Sequence, residues 1–518
     1  MLYFGRRISY RELNAEVEAL AGWMQQCAGV KRGDRVLLQM QNCPQFVAAF
    51  YAILRADAVV VPANTMLLAD ELRYLLDDSG ARLVLTSQEL LPQWSPLLGD
   101  GLPVQMVVAC HADKAGEDVG EAPAWVRTPR QPLQDAHQTP WHEAIAAQLT
   151  PRAMQAGPDD LACLPYTSGT TGQPKGCMHT HRSLMFTTVA ASTWAANAPE
   201  DVALVSLPMF HVTGMQVSMN AAIHAGATQV IMPRWDRELA SRLIARHRVT
   251  TWSAISTMMI DFLSNPALDP SALKSLRRVS GGGAAMPAAI AQKLLDLTGL
   301  RYIEGYGLTE TIATTHANPV QHPKQQCLGM PIFDTTSMVI DPDTLRVLPE
   351  GEVGEIVIHG PQLFQGYWGD EAKTRAAFID IDGQRYLRTG DLGYVDEDGY
   401  FFFTDRLKRM INASGYKVWP AEVEAMMYRH PDIRDCCIVA AVDSHRGETV
   451  KAYVVRQEGS CVDAGSLMAW AREQMAAYKV PRMVEFVDSL PKSATGKVLW
   501  RVLQDAENAT ANGMRRTN

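Results

Sequence analysis

The chain has 518 residues, 47% hydrophobic and 20% charged, and a net charge of −8 at pH 7. That length exceeds what one hydrophobic core supports, so a large composite domain and at least one smaller unit are expected, and the composition excludes a fibrous or disordered chain. The acidic balance, with Lys and Arg scattered, argues against a nucleic-acid groove, and no apolar run is long enough to span a bilayer.

The start, Met1 to Arg7, lacks the apolar stretch of a secretory signal, and the end, Arg515-Arg516-Thr517-Asn518, matches neither a prenylation nor a peroxisomal motif. None of the nine cysteines stands in C-x-x-C spacing, which points away from zinc and dithiol chemistry. A reduced, cytoplasmic setting is the expectation.

Taken in chain order, Val59-Val60-Val61 and Leu83-Val84-Leu85 read as strands between helical patterns. Residues 99–150, rich in Pro, Gln, His and Ala, read as a surface excursion. Glu238 to Arg248 has Leu239, Leu243 and Ile244 at helical spacing and runs into a strand at Val249–Trp252. Leu276–Val279 reads as a strand, Gly281-Gly282-Gly283 as a tight loop, and Pro287 as the first turn of a helix. Alternating strands and helices over four hundred residues predict an α/β architecture, in which ligands favour the carboxyl ends of strands.

After Asp405 the texture changes: a helix around Glu422 to Tyr428, strands at Cys437–Ala440 and Val450–Val455, and a helix around Leu467 to Ala476 predict a small α+β domain. The resulting division is 1–405, 406–504 and a frayed tail at 505–518.

The densest chemical signal is Tyr166-Thr167-Ser168-Gly169-Thr170-Thr171-Gly172-Gln173-Pro174-Lys175-Gly176, with three glycines, four aliphatic hydroxyls and one cation. Glycines let backbone N–H groups close on phosphate oxygens, hydroxyls donate further bonds, and Lys175 adds charge, so a polyphosphate is the expected ligand. The spacing of Gly172 and Lys175 does not fit a Walker A loop.

Further segments follow in order: Met209-Phe210-His211, Gly281-Gly282-Gly283-Ala284, Tyr306-Gly307-Leu308-Thr309-Glu310, Tyr386-Leu387-Arg388-Thr389-Gly390-Asp391, Asp405-Arg406-Leu407-Lys408 and Pro491-Lys492-Ser493-Ala494-Thr495-Gly496-Lys497. With the phosphate loop, this ordered set resembles the adenylate-forming superfamily of acyl-CoA synthetases, aryl-CoA ligases, peptide-synthetase adenylation domains and luciferases, over nearly the whole chain. The resemblance implies a large multi-subdomain α/β N-terminal domain and a small mobile α+β C-terminal domain. It also implies conversion of a carboxylic acid, ATP and coenzyme A to acyl-CoA, AMP and diphosphate through an acyl-adenylate.

A carboxylate attacking the α-phosphorus needs positive charge to offset two anions, and the resemblance distributes that task. Glu310 and Thr170 are similar to the family's Mg²⁺ ligands. Thr167, Ser168, Gly169, Thr170, Thr171, Gly172 and Lys175, then Gly282, Gly283 and Ala284, then Glu304, Gly305, Tyr306, Gly307 and Thr309 resemble the ATP and AMP contacts. Asp391 resembles the acceptor of the ribose hydroxyls and Arg406 a second ribose or phosphate contact. Lys497 resembles the catalytic cation that bridges carboxylate and phosphate. Lys408 matches the hinge, and Ser414, Gly415, Tyr416 and Lys417 the loop that faces the thioester step.

His211 resembles a step that orients the acid. Peptide-synthetase adenylation domains place an Asp there to hold an α-amino group, so an amino acid substrate is disfavoured. Met215, Val217, Met219, Ala222, Trp252, Ile255, Met258 and Met259 form a methionine-rich set suited to an adaptable pocket, which puts medium- or long-chain fatty acids first and small aryl acids second. The chain reaches Ile8-Ser9-Tyr10-Arg11-Glu12-Leu13 almost at once, where relatives usually carry a further N-terminal stretch, so missing early elements or a misassigned start are expected. Monomer and homodimer both remain open. Rival readings are an enzyme that loads a carrier protein, a non-catalytic acyl-binding homologue and a light-emitting oxidase.

Overall fold

The computed structural model describes residues 1–99, 104–116, 122–133, 135–167, 173–413, 416–443, 447–492 and 498–516; for residues 99, 408, 416, 417, 443, 447 and 510–516 this means the backbone alone. Two compact units emerge, Met1–Thr336 with His359–Leu387, and Ser337–Ile358 with Arg388–Asn518. Compactness thus groups Arg388–Asp405 with the residues after it, where the sequence reading drew its line at 405. Antiparallel pairing of Asp391–Val395 with Phe401–Arg406 holds that stretch there.

In the first unit a seven-stranded sheet runs, among the described residues, in the order Gln138–Pro140, Gln105–Ala109, Leu83–Ser87, Arg35–Gln39, Val59–Pro62, Leu161–Cys163, His179–Thr180. Every residue of Val59–Pro62 and Leu83–Ser87 is buried, which accounts for continuous apolar runs in parallel strands covered on both faces. Gln105–Ala109, expected within a surface excursion, is instead a strand parallel to Leu83–Ser87, with Met106, Val107 and Val108 buried. Four consecutive buried residues show no alternation to betray a strand, and its Pro- and Gln-rich flanks masked it.

The second sheet of this unit carries parallel strands Val202–Val205, Thr251–Ser253, Arg278–Gly282 and Tyr302–Leu308 side by side. Asp236 caps the helix Arg237–His247 by accepting from the amides of Glu238 and Leu239, and Leu239, Leu243 and Ile244 are its buried stripe. Arg248, at φ 51°, ends it. The glycine segment differs from the expectation: Gly281 and Gly282 finish the strand, and the turn falls on Gly283 at φ +87°. Pro287 sits just before the helix Ala288–Thr298 rather than in its first turn. Parallel strands place their carboxyl ends, and so residues 254, 283 and 309, on one edge of the sheet.

The second unit contains the antiparallel pair Ile433–Asp443 and Gly447–Arg456, joined by Ile411–Ala413, Tyr416–Val418 and Met483–Phe486. Helices Pro420–Met427 and Ala464–Gln474 supply Val423, Met427, Leu467 and Ala471 to its core. The tail expected to fray continues as the helix Trp500–Arg516. Lys451 Nζ donates to Glu507 Oε2 at 2.6 Å, and Gln504 exchanges hydrogen bonds with the backbone of Ala440. Those polar ties leave no apolar period in the sequence. No described helix is long and apolar enough to cross a membrane.

Candidate active site

The phosphate-loop segment is closed at its base. Tyr166 and Gly176 form an antiparallel bridge, Thr167 N donates to Lys175 O at 2.9 Å, and Lys175 N donates to Thr167 Oγ1 at 3.2 Å. Tyr74 OH donates to Pro174 O at 2.7 Å, and Tyr166 OH to Asp78 Oδ2 at 2.5 Å. Five of the loop's predicted contacts, Ser168, Gly169, Thr170, Thr171 and Gly172, lie outside the described residues.

Beyond Gly176 the chain pairs with residues 365–368, which brings Tyr367 beside the loop. The Lys175 ammonium lies 3.9 Å from the centre of the Tyr367 ring, and Tyr367 OH donates to Glu310 Oε1 at 2.8 Å. Burial, then the neighbouring Glu310 charge, push the Tyr367 phenol upward, so it stays a donor to that carboxylate. One tyrosine therefore links the loop cation to the predicted metal ligand. The sequence reading missed it; its one signal was an aromatic pair, Tyr367-Trp368, following Gly366.

Glu310 stands on the short turn Thr309–Thr311 at the carboxyl end of Tyr302–Leu308. His179, buried and held low at about 4 by desolvation, is neutral and donates from Nε2 to Thr309 O at 2.8 Å. It fixes the turn and was also missed. Opposite the bulge at Tyr306 and Gly307, a Cβ on Gly307 would lie 1.5 Å from Ala313 O. Tyr306, half-buried, packs its ring on that of His316 at 5.7 Å.

Glu304 begins this motif buried, with Oε1 accepting from Gln326 N at 2.8 Å and Oε2 from Met286 N at 3.3 Å. Desolvation outweighs both bonds and raises its carboxyl to about 7. Its side chain thus ties together the segments on either side of the strand. Gly282 and Gly305 are paired across adjacent strands, and Ala284, exposed, has its carbonyl held by Ser256 Oγ at 2.9 Å.

His211 is exposed, and its Nδ1 accepts from Thr213 N at 3.3 Å. It is not the satisfied core histidine that an apolar setting ordinarily means. Three residues later the chain winds into a wide helical turn, Gly214–Asn220, with i→i+5 bonding. A Cβ on Gly214 would fall 2.1 Å from Pro208 O. Of the eight residues predicted to form an acid pocket, Val217, Ala222 and Trp252 line a crevice between this turn and the sheet. Met215, Met219, Met258 and Met259 are buried in the main core.

In the second unit, Asp391 and Arg406 are paired across antiparallel strands, Arg406 Nε lying 3.0 Å from Asp391 Oδ1. Asp391 is 1% exposed. Its turn is held by buried Glu355, which accepts from Gly390 N at 3.0 Å and from Arg388 Nε at 2.9 Å. Asp405 is fully buried, accepts from the amides of Arg406 and Ala421, and is raised by desolvation. Lys408 is on the turn Leu407–Arg409 and Tyr416 and Lys417 on the strand Tyr416–Val418, all with side chains outside the description. Ser414, Gly415 and Lys497 lie outside the described residues.

Comparison with known proteins matches residues 1–368 to the family of AMP-binding enzymes and 422–497 to the AMP-binding enzyme C-terminal domain. A long-chain-fatty-acid–CoA ligase of Bacillus subtilis (strain 168) is 33% identical over 98% of this chain and 91% of its own length. A feruloyl-CoA synthase of Amycolatopsis sp. is 34% identical over 96% and 93%. The crystal structure of ATP-bound MatB from Rhodopseudomonas palustris superposes with a TM-score of 0.85 at 28% identity, covering 97% of this chain and 94% of that one.

Proposed function

The chain belongs to the family of AMP-binding enzymes and is an ATP-dependent ligase of carboxylic acids and coenzyme A, and on that premise we propose its division of labour and its acid class. The observation that carries the division is the Lys175–Tyr367–Glu310 chain. It puts a cation and a carboxylate, joined by one phenol, beside the base of the hydroxyl- and glycine-rich loop. Lys175 and the loop's backbone amides bind phosphate oxygens. Glu310 has one oxygen on Tyr367 and, among the described residues, no partner on the other, a donor set that fits a hard divalent cation held by one carboxylate together with phosphates. Bound Mg²⁺ would supply Lewis-acid charge on those phosphates. Thr170 is its second proposed ligand.

Asp391 accepts from the ribose hydroxyls while Arg406 fixes its carboxylate. Gly282 to Ala284 and Gly305 to Thr309 line the adenine and ribose side with backbone, and Glu304 holds that backbone in place. Lys497 bridges the attacking carboxylate and the α-phosphate. Ser414 to Lys417 serve thioester formation, and Lys408 the change between half-reactions. His211, just before the Gly214–Asn220 turn, orients the acid.

The relatives include both a fatty-acid ligase and a feruloyl-CoA synthase, so their names do not choose the acid. The burial of four methionines in the core supports a compact aryl acid over a long alkyl chain, because the side chains that would adapt to chain length do not line the crevice. The second reading, a medium- or long-chain fatty acid, rests on the Bacillus subtilis relative.

Incubation with MgATP and a panel of aryl, fatty and amino acids, with and without CoA, tests this by mass spectrometry. Acyl-CoA and AMP from aryl acids, with acyl-adenylate trapped when CoA is omitted, are expected. Decanoate or longer acids turning over fastest would reverse the choice of acid. Adenylate that ignores CoA would point to a carrier-protein acceptor.

A further inference from the structure

Asn42 lies between the strand Arg35–Gln39 and the helix Pro44–Arg55, outside every segment that the motifs marked, and it is 3% exposed. Its side chain reaches into the other sheet of the first unit. There the parallel strands Val202–Val205 and Thr228–Ile231 pair as far as Val205 and Ile231, and one more bond, Met232 N to Val205 O at 3.1 Å, closes the ladder.

Beyond that bond the Asn42 amide takes over from the backbone. Its Nδ2 donates to Leu207 O at 2.9 Å and to Met232 O at 3.2 Å, and its Oδ1 accepts from Met209 N at 2.8 Å. Both donors and one acceptor position are thus spent on backbone groups past the end of the ladder, groups that cost free energy when buried alone. The segment so held leads directly to His211, whose N–H donates to Pro208 O at 3.1 Å.

The same helix meets this segment a second time. Tyr51 OH donates to Asn220 Oδ1 at 2.8 Å; Asn220, itself 3% exposed, donates from Nδ2 to Gln216 Oε1 at 2.6 Å, and Gln216 Nε2 to Leu184 O at 2.8 Å. Residues 207–220 are therefore gripped at both ends from one helix and its entry, and His211 stands between the grips. Between them the chain has little slack: Met215 N donates to His211 O at 2.9 Å, and Gly214 packs so close to Pro208 O that a Cβ there would lie 2.1 Å away.

We propose that Asn42 and Tyr51 are positioning residues for the acid: they set where His211 stands and touch no substrate themselves. The inference rests on the reading of His211 as the group that orients the acid, and deepens it by naming what aims that group. A side-chain amide suits the task because its bond lengths and directions fix three backbone atoms at once, whereas an apolar contact lets them slide. Asn42 carries the larger share, since its partners immediately precede His211. None of the partners of Asn42 or Tyr51 is a proposed nucleotide contact, so the effect falls on the acid and not on ATP.

The test uses the full chain with MgATP and CoA, and as probe the fastest acid of the panel above, which includes benzoic, cinnamic and decanoic acids. Asn42→Ala should lower kcat/KM for that acid by about 10- to 100-fold, the cost of misplacing an orienting group by about an ångström, while KM for ATP stays within about twofold. Tyr51→Phe, which loses one hydroxyl, should lower it about fivefold. The deciding readout is a cycle with His211→Ala: in that background either substitution should add less than about twofold, because the group it aims is gone. A merely structural role would add the same factor in both backgrounds and raise KM for ATP as well. If Asn42→Ala does not fold, the Tyr51→Phe cycle decides. Full additivity, with His211→Ala itself impaired, would overturn the positioning role and leave the reading of His211 intact. Native kcat/KM for the acid in His211→Ala would overturn that reading and this inference with it, and no AMP from any acid of the panel would overturn the ligase reading as well.

Discussion

At the scale of single residues, the charged groups of this protein are specified by what burial does to them. Glu304 is the sharpest case. Its carboxyl, at an ordinary 4.5 in the unfolded chain, is raised to about 7 by desolvation. Below pH 4.5 it is protonated in both states. Between 4.5 and about 7 the folded protein keeps a proton that the unfolded chain has released, so stability falls as pH rises through that window and then levels off. The full effect is on the order of 3 kcal/mol. Glu304→Gln cannot titrate and should gain stability relative to the native protein between pH 5 and pH 8, even though its amide replaces one acceptor of a backbone N–H. Urea midpoints at the two pH values measure this, and an unchanged difference would mean that the carboxylate is not desolvated. Glu304 was legible as a motif position but its burial was not, because burial depends on Gln326 and Met286, which lie far from it in sequence. Tyr367 and His179 were invisible for the same reason.

At the scale of elements, the strand–turn unit Tyr302–Thr311 shows how a motif sets geometry. The bulge at Tyr306 and Gly307 brings the Ala313 carbonyl to where a side chain would start, 1.5 Å from an ideal Cβ. Gly307→Ala must therefore push the two strands apart. We expect a loss of about 1–3 kcal/mol in stability and at least tenfold in adenylate formation, since Glu310 rides on the next turn. Diphosphate–ATP exchange reads the second effect, and unchanged exchange would separate the bulge from Glu310 placement. Elements with strong local signals were legible: Arg237–His247 has a cap, a stripe and a left-handed stop between Asp236 and Arg248. Gln105–Ala109 lacked all three. The wide turn at Gly214–Asn220 was equally hidden, as i→i+5 bonding has no sequence period of its own.

At the scale of the whole molecule, the expected chemistry has two steps and the chain carries candidate groups for each. The family matches at 1–368 and 422–497 account for the broad plan that the ordered motifs implied. That plan was legible because phosphate chemistry demands dense, ordered residue types. The acid was not, because relatives of like identity are named for fatty and for aryl acids, and four methionines that read as pocket are buried in the core. The two steps make different demands. Forming the adenylate brings a carboxylate onto a phosphate, and the added negative charge in the transition state needs a cation there; thioester formation from the adenylate expels AMP and does not repeat that encounter. Lys497→Ala should therefore cut adenylate formation from acid and ATP by about 10²–10³-fold, while thioester formation from supplied acyl-adenylate and CoA stays within a few-fold of the native rate. Single-turnover assays of each half-reaction measure both. Equal loss in the two would assign Lys497 to a structural role or to both steps, and the proposed division of labour would fail.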